Sequence, residues 1–283
     1  VVSMRPSVVC ALVSLALCSG LPLEPQTTVG KKIVPMPGLV TGGDMDALLY
    51  YPEGVSKAPF LSFAHGMATG GSLVEHFYDD LLTKVAAAGF IILAPRSCTV
   101  AFCHDFWLDQ LHVIQAAKAQ GAKLDPVLAN ADLTRIGIFG HSMGGAATLE
   151  SAANATANGI LGAFALNPAC GDGRPNCHSS DISVPVFFAT SDEDVIVRSS
   201  RVNIEYDHDP EADKILVQLK DAGHMEATKK DNRWETWVVD YLLCHIAGDT
   251  AACDLVYDPE QGICTKVKAS KCKVPNHTHV QND

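Results

Sequence analysis

The sequence predicts an α/β fold in which a mostly parallel central sheet carries helices on both faces. Two observations predict this class: nearly continuous apolar segments, typical of strands buried on both faces, and helical stretches that alternate with them. The leading strands are hairpin-like, so we allow for antiparallel pairing there. The predicted strands are Ala47–Tyr51, Phe60–Ala64, Phe90–Ala94, Ile136–Phe139, Ala163–Leu166, Val186–Ala189 and Ile215–Leu219. The predicted helices are Leu73–Ala88, Phe106–Gln120, a run from Ala146 to Ala153, and Trp234–Ile246.

The chain length limits the number of domains, and the net charge limits the classes of partner. A chain of 283 residues can bury one sizeable core, and neither an internal repeat nor a low-complexity linker divides it. We predict a single domain over residues 21–283, with a polar, Cys-rich tail from about Gly248. The formal net charge of -11 leaves no broad positive field, which argues against nucleic acid as a partner.

The first twenty residues have the layout of a secretory signal. A basic start at Arg5 precedes an apolar run over residues 8–17, and small residues follow at Ser19 and Gly20. The run is too short to cross a hydrocarbon core of roughly 30 Å comfortably. We therefore predict a signal peptide over residues 1–20, a secreted protein and no stable membrane insertion.

The number and spacing of the cysteines are typical of a secreted protein with disulfides. Beyond the leader they form an even set, and two pairs lie close in sequence within loop-like segments, which predicts local disulfides. The four C-terminal cysteines are expected to staple the tail, with their pairing left open. No CxxC pair supports zinc, so no metal is predicted. The local pairs are Cys98 with Cys103 and Cys170 with Cys177, and the C-terminal four are Cys244, Cys253, Cys264 and Cys272.

The strongest local signal is the segment Gly140-His141-Ser142-Met143-Gly144-Gly145. It follows one predicted strand and precedes a helical run, which is the context that distinguishes a nucleophile turn from a chance match. A serine on such a turn projects its hydroxyl above the sheet, in a strained backbone that needs small neighbours at Gly140 and Gly144. The helix that begins there also directs N–H groups toward the reacting centre. Ser142 is therefore the predicted nucleophile, and His141 beside it is interpreted as a packing residue.

A serine nucleophile needs a base and an orienting acid, and in this arrangement the acid and then the histidine follow it along the chain. His224 comes after the last predicted strand and is the predicted base. Asp192, Glu193 and Asp194 compete for the role of acid after the preceding strand. We favour Asp194 because the apolar pair Ile196-Val197 behind it would anchor the loop.

Acyl transfer also needs donors for the oxyanion. One is the backbone N–H of Met143, the residue after the predicted nucleophile, and the other should come from the loop after an earlier strand. The glycine-containing loop after Phe60–Ala64 makes Met67 N–H the candidate. His65 in the same loop is interpreted as a structural hydrogen-bonding residue. These groups imply no metal ion and no organic cofactor.

From Ala47 to Ile246 the chain resembles the α/β-hydrolase superfamily, especially its cutinase-like polyester hydrolases and its chlorophyllase and dienelactone-hydrolase relatives. GHSMGG is a form common among bacterial cutinases, and the acid loop resembles their pattern of an aspartate followed by an apolar pair. Polyester hydrolases of this type usually carry an aromatic residue at the position of Met67 and a tryptophan at that of Ala169. The segments that carry the resemblance are His65–Met67, Ala86–Pro95, Arg135–Gly145, Ser191–Val197 and Ala222–Glu226.

The resemblance implies the α/β-hydrolase fold, a triad of Ser142, Asp194 and His224, and an oxyanion pair of Met67 and Met143. It also implies a serine carboxylic ester hydrolase that acts through an acyl-enzyme. The substrate would be a small-molecule or polymeric ester, and we expect a monomer. Alternatives are a chlorophyllase-like enzyme, a hydrolase of a thioester, lactone or peptide bond, and a non-catalytic secreted binding protein on the same scaffold.

Overall fold

The computed structural model describes residues 27–99, 102–171, 177–211, 213–260 and 262–275, so the predicted signal peptide lies outside the described residues. Strands and helices alternate along most of the chain. The strands are β1 (Val29–Pro35), β2 (Gly43–Pro52), β3 (Ala58–Ala64), β4 (Ile91–Ser97), β5 (Ala131–His141), β6 (Ile160–Leu166), β7 (Val186–Ser191), β8 (Lys214–Leu219) and β9 (Ala269–Lys273). The α-helices are α1 (Leu73–Ala87), α2 (Phe106–Gln120), α3 (Met143–Ala153), α4 (Ala155–Asn158), α5 (Ser199–His208), α6 (Glu235–Leu242), α7 (Thr250–Tyr257) and α8 (Ile263–Lys266).

The strands form one sheet in the order β1-β2-β4-β3-β5-β6-β7-β8-β9. The pairs from β4 through β8 are parallel, whereas β1 and β2 at one side and β9 at the other run antiparallel to their neighbours. This confirms the predicted mostly parallel sheet, and the leading strands pair antiparallel, as the sequence analysis allowed. Because β3, β5, β7 and β8 all point the same way, the loops that follow them meet at one edge of the sheet.

Side chains on successive strand positions enter two separate cores, which explains the unbroken apolar segments. On β7, Val186 and Phe188 pack with residues of α2 and α3, while Phe187 and Ala189 pack with residues of α1 and α6. Each of these four β7 residues is therefore buried by a helix layer on its own side of the sheet. Helices cover both faces of the sheet, as predicted.

The structure adds elements that periodicity did not indicate. Strands β1 and β9 and helix α5 were not predicted, and their residues are mostly half-buried or exposed, so they lack a strong apolar pattern. The predicted closing helix Trp234–Ile246 is shorter: α6 ends at Leu242 and one π-helical turn, Leu243–Ala247, follows. Residues after Gly248 form α7, α8 and β9, and β9 extends the sheet by pairing with β8.

Disulfides link neighbouring segments at four places among the described residues. The two predicted local pairs are confirmed, and the four C-terminal cysteines also pair with near neighbours in sequence. Among the described helices, none combines the length and the hydrophobicity that a bilayer span requires. The bonded pairs are Cys98–Cys103, Cys170–Cys177, Cys244–Cys253 and Cys264–Cys272.

Candidate active site

Ser142 occupies the sharp turn between β5 and α3, where its φ is 58° and its ψ is -118°. A non-glycine residue in this region of backbone space is strained, and such strain is typical of a nucleophile turn. Hydrogen bonds hold the turn in place: Ser142 N–H donates to the Leu166 carbonyl at 2.8 Å, and Ala169 N–H donates to the Ser142 carbonyl at 2.9 Å. The end of β6 and the segment after it therefore support the serine.

Glycines beside Ser142 let the chain pack this tightly. A Cβ on Gly144 would lie 2.0 Å from the Ala64 carbonyl oxygen, and one on Gly140 would lie 2.4 Å from the Gly144 carbonyl oxygen. Both distances are far inside van der Waals contact, so neither position accepts a side chain without backbone movement. The structure thus supports the steric argument made from the sequence.

The three side chains predicted as a triad lie in one hydrogen-bonded row. His224 Nε2 is 2.8 Å from Ser142 Oγ, and His224 Nδ1 is 2.7 Å from Asp194 Oδ2. All three residues are buried, with exposed fractions of 7% or less. Since the carboxylate can only accept, Nδ1–H donates to Asp194 and the unprotonated Nε2 accepts from the Ser142 hydroxyl. In this tautomer the imidazole can take a proton from serine.

Further donors hold the Asp194 carboxylate. Ile196 N–H and Val197 N–H donate to Oδ1 at 2.9 and 2.7 Å, and Asn167 Nδ2 donates to Oδ2 at 2.8 Å. Burial alone would raise the pKa of Asp194, but the bonds from His224 and these backbone groups outweigh it and lower the pKa below its ordinary value. The carboxylate is therefore charged at neutral pH. Asp192, in contrast, is exposed and accepts at 3.5 Å from Ala222 N–H.

The two predicted oxyanion donors are the backbone N–H groups of Met143 and Met67. Met143 is the first residue of α3, so its N–H has no acceptor within the helix. Met67 lies in the loop after β3, and among the described residues no backbone acceptor is found for its N–H. Within the described part of the chain, no acceptor is found for either predicted oxyanion donor.

The side chains of these two residues lie in different environments. Met67 is 46% exposed, whereas Met143 is 1% exposed and packs beneath the Cys98–Cys103 disulfide, with its sulfur 3.8 Å from Cys98 Sγ. Helix α3 turns its first side chain down into a small core that includes Phe106.

His65 and His141 lie outside the hydrogen-bonded row of the triad, and their ring nitrogens have different partners. Both His65 ring nitrogens lie 2.8 Å from backbone carbonyl oxygens, those of Gly66 and Ser97, which agrees with a structural role. His141 was interpreted as packing, but it also makes two side-chain hydrogen bonds. Its ring is 2.9 Å from Tyr78 Oη and 2.9 Å from the His224 carbonyl oxygen.

Sequence reasoning did not select Asn167 and Tyr78 as parts of the site. Asn167 directly follows the apolar strand β6, at the same sheet edge as Ser142, and this position is the signal that could have identified it. Tyr78 lies on the buried face of α1, where its spacing indicates core packing and nothing more.

One acidic cluster, formed by Asp80, Asp231 and Glu235, was found in the part of the chain that the structure describes. The Lys84 ammonium binds Asp231 at 3.1 Å and also binds Glu235. A lysine therefore already pairs with two of these three carboxylates. Asp80 lies on α1, Glu235 on α6 and Asp231 in the turn before α6, and among the described hydrogen bonds none joins them to Ser142, His224 or Asp194.

The sheet order, the helices on both faces and the serine turn after β5 define an α/β hydrolase. Comparison with protein families identifies the family within this class. A family profile described as PET hydrolase-like (PETase) matches residues 34–275. The chain belongs to this family, and this membership makes it a carboxylic ester hydrolase.

Proposed function

We propose that this ester hydrolase is a serine enzyme in which Ser142 attacks the substrate carbonyl and forms an acyl-enzyme. The observation that carries the proposal is the continuous row of hydrogen bonds from Ser142 Oγ through His224 to Asp194. A hydroxyl alone is a weak nucleophile at neutral pH, and a positioned base with an orienting acid is what activates it.

Each group has a defined task in the proposed reaction. His224 Nε2 takes the proton from Ser142 as Oγ bonds to the ester carbon, and Asp194 stabilises the imidazolium. The N–H groups of Met67 and Met143 bind the oxyanion of the tetrahedral intermediate. The intermediate then collapses, the alkoxide leaves with the proton from His224, and the acyl group stays on Ser142. Water attacks this acyl-enzyme by the same proton transfers and releases the acid.

Exposed apolar side chains suggest the kind of ester. Among the described residues, four such side chains belong to the oxyanion loop or lie within two positions of a proposed triad residue, with exposed fractions from 40% to 89%: Met67, Val195, Ile196 and Met225. Such side chains favour contact with an apolar acyl or alkyl group, or with an apolar polymer surface. The proposed substrates are therefore apolar carboxylic esters, including polyesters.

The cellular setting is part of the proposal. Four disulfides favour an oxidising compartment, and together with the signal-like N-terminal sequence they support secretion. We further propose a single catalytic domain that acts as a monomer, since one sheet with two helix layers carries all the site residues.

The test is hydrolysis of p-nitrophenyl esters from acetate to palmitate, with a fluorophosphonate label read out in parallel. Ser142→Ala should lower kcat by about 10⁴-fold or more and abolish labelling. Turnover that survives in Ser142→Ala would exclude the serine mechanism. Folded wild-type protein that neither turns over esters nor takes the label would favour a non-catalytic scaffold.

A matched pair of variants tests whether Asp194 or Asp192 is the acid of the triad. Asp194→Asn should lower kcat by roughly 10³- to 10⁴-fold, because an amide at this position favours the wrong histidine tautomer. Asp192→Asn changes an exposed side chain and should leave kcat within about twofold of wild type. Equal losses in the two variants would contradict the assignment of Asp194.

A further inference from the structure

A chain of buried hydrogen bonds links the two loops on either side of Ser142. Gly66 N–H donates to Tyr78 Oη at 3.0 Å, Tyr78 Oη is 2.9 Å from His141 Nδ1, and His141 Nε2 is 2.9 Å from the His224 carbonyl oxygen. Gly66 immediately precedes Met67 in the oxyanion loop. This hydrogen-bond chain thus runs from the residue before one proposed donor to the backbone of the proposed base.

The direction of each bond follows from donor chemistry. A carbonyl oxygen can only accept, so His141 Nε2–H donates to His224. Burial, reinforced by the nearby His224 ring, lowers the pKa of His141 to about 3, and the ring is therefore neutral. A neutral ring with its proton on Nε2 must accept at Nδ1, so the Tyr78 hydroxyl donates there while accepting from Gly66. In this arrangement every polar atom of the hydrogen-bond chain has a partner.

The side chains that form this hydrogen-bond chain are buried and closely packed. Tyr78 and His141 are each 1% exposed, and the Tyr78 ring packs edge-on against Phe63 at a centroid distance of 4.9 Å. The His141 and His224 rings also lie 4.9 Å apart, so a shift of one ring would displace the other. Without water to replace a lost partner, removal of one hydroxyl leaves two polar groups unpaired.

We propose that Tyr78 and His141 are positioning residues that hold the oxyanion loop and the His224 loop at a fixed separation across Ser142. The inference rests on the proposed function, because it assigns the two residues a task in that reaction. They touch no reacting atom and act through Gly66 and His224. A displacement of about 1 Å in such a site can cost about 100-fold in rate, so the effect should be measurable.

The first test compares two tyrosines in the same core. Tyr78→Phe removes the hydroxyl from the chain, and Tyr50→Phe removes a buried hydroxyl that bonds to Asp79 at 2.8 Å instead. We expect Tyr78→Phe to lower kcat by about 10- to 100-fold with KM within about twofold, since alignment and not ground-state binding is lost. Tyr50→Phe should leave kcat unchanged, whatever it does to the melting temperature.

The second test uses partial rescue at His141. His141→Gln can keep a donor toward the His224 carbonyl, whereas His141→Phe keeps none, so the glutamine variant should retain about tenfold more kcat. The hydrogen bonds of Tyr78 and His141 act as one unit, so breaking one of them removes the effect of the other. The double variant Tyr78→Phe/His141→Phe should therefore have a kcat only slightly below that of His141→Phe alone. If His141→Phe does not fold, Tyr78→Phe and His141→Gln still decide the matter.

Several outcomes would overturn the inference: wild-type kcat in folded Tyr78→Phe, equal kcat losses in Tyr78→Phe and Tyr50→Phe, or strictly multiplicative effects in the double variant. A failure of the proposed function is distinct from these, since it would appear as activity in Ser142→Ala or as folded wild-type protein that is inactive and unlabelled. The melting temperature of each variant, measured alongside, separates lost alignment from lost folding.

Discussion

Glu150 on α3 is a buried carboxyl that the proposed reaction does not use. It is 8% exposed and borders a cavity of about 260 Å³, whose other lining residues include Trp107 and Asp181. Burial, with a smaller contribution from the negative charge of Asp105, raises the pKa of Glu150 to about 7. The folded protein therefore keeps this carboxyl protonated at a pH at which the unfolded chain has lost the proton.

This shift determines how stability should depend on pH. Below the unfolded pKa of 4.5 the group is protonated in both states and costs nothing. Between pH 4.5 and about 7 stability falls as pH rises, and above about 7 the full cost is present. Glu150→Gln removes the cost, so we expect its free energy of unfolding to exceed that of wild type by about 1–2 kcal/mol at pH 8, after allowing for partial solvent screening.

Urea unfolding of Glu150→Gln and wild type at pH 4.5 and pH 8 measures this difference. Glu53→Gln, which changes an exposed glutamate in a turn after β2, is the control and should show no pH-dependent gain. An equal gain for Glu150→Gln at both pH values would show that the effect is packing and not ionisation.

At the scale of elements, the contact between the start of α3 and the end of β3 sets the shape of the site. Gly144 allows it, because an added Cβ would lie 2.0 Å from the Ala64 carbonyl oxygen and 2.5 Å from that of His65. Backbone atoms cannot turn away as a flexible side chain can. Helix α3 would have to move off the sheet, and it would carry Ser142 and the Met143 N–H with it.

Gly144→Ala should therefore lower the free energy of unfolding by about 3 kcal/mol or more, or prevent folding altogether. Gly162→Ala on β6 is the matched control, since its Cβ would find its nearest neighbours at 3.4 Å, an ordinary contact distance. We expect the control to change stability by less than about 1 kcal/mol. Denaturant titration of both variants provides the comparison, and a stable, active Gly144→Ala would refute the close-contact argument.

At the scale of the whole molecule, the C-terminal segment closes one side of the sheet. Strand β9 pairs with β8, and Lys220 N–H, just after β8, donates to the Lys268 carbonyl at 2.9 Å. The Cys264–Cys272 disulfide joins α8 to β9 across eight positions of sequence. A bond that closes a loop of this size restricts mainly the unfolded chain.

The double variant Cys264→Ala/Cys272→Ala should lose about 2–3 kcal/mol of unfolding free energy. Its kcat at 25 °C should remain within about twofold of wild type, because β9 contributes none of the proposed catalytic groups. Thermal unfolding and ester hydrolysis, measured on the same preparation, check both parts. A large loss of kcat in folded protein would instead show that β9 helps to place His224 through β8.

Local patterns in the sequence were sufficient to predict most of the sheet and to propose Ser142 and His224 as site residues. Apolar segments such as Val186–Ala189 predict strands because each residue faces a helix layer, and the glycines around Ser142 are steric requirements of a turn. Edge elements such as β1 and β9 escaped prediction because their half-exposed residues carry no comparable pattern.

What the sequence determined by itself is therefore the fold class, the two local disulfides, and Ser142 and His224 as candidate nucleophile and base, with Asp194 preferred among three competing acids. Only the tertiary structure decided which carboxylate faces His224, because Asp192 and Asp194 differ in the direction of their side chains and not in residue type. It likewise decided that Tyr78 reaches His141 across 63 positions of sequence. Such contacts depend on which strand ends the sheet order brings together, and no local pattern along the chain encodes that order.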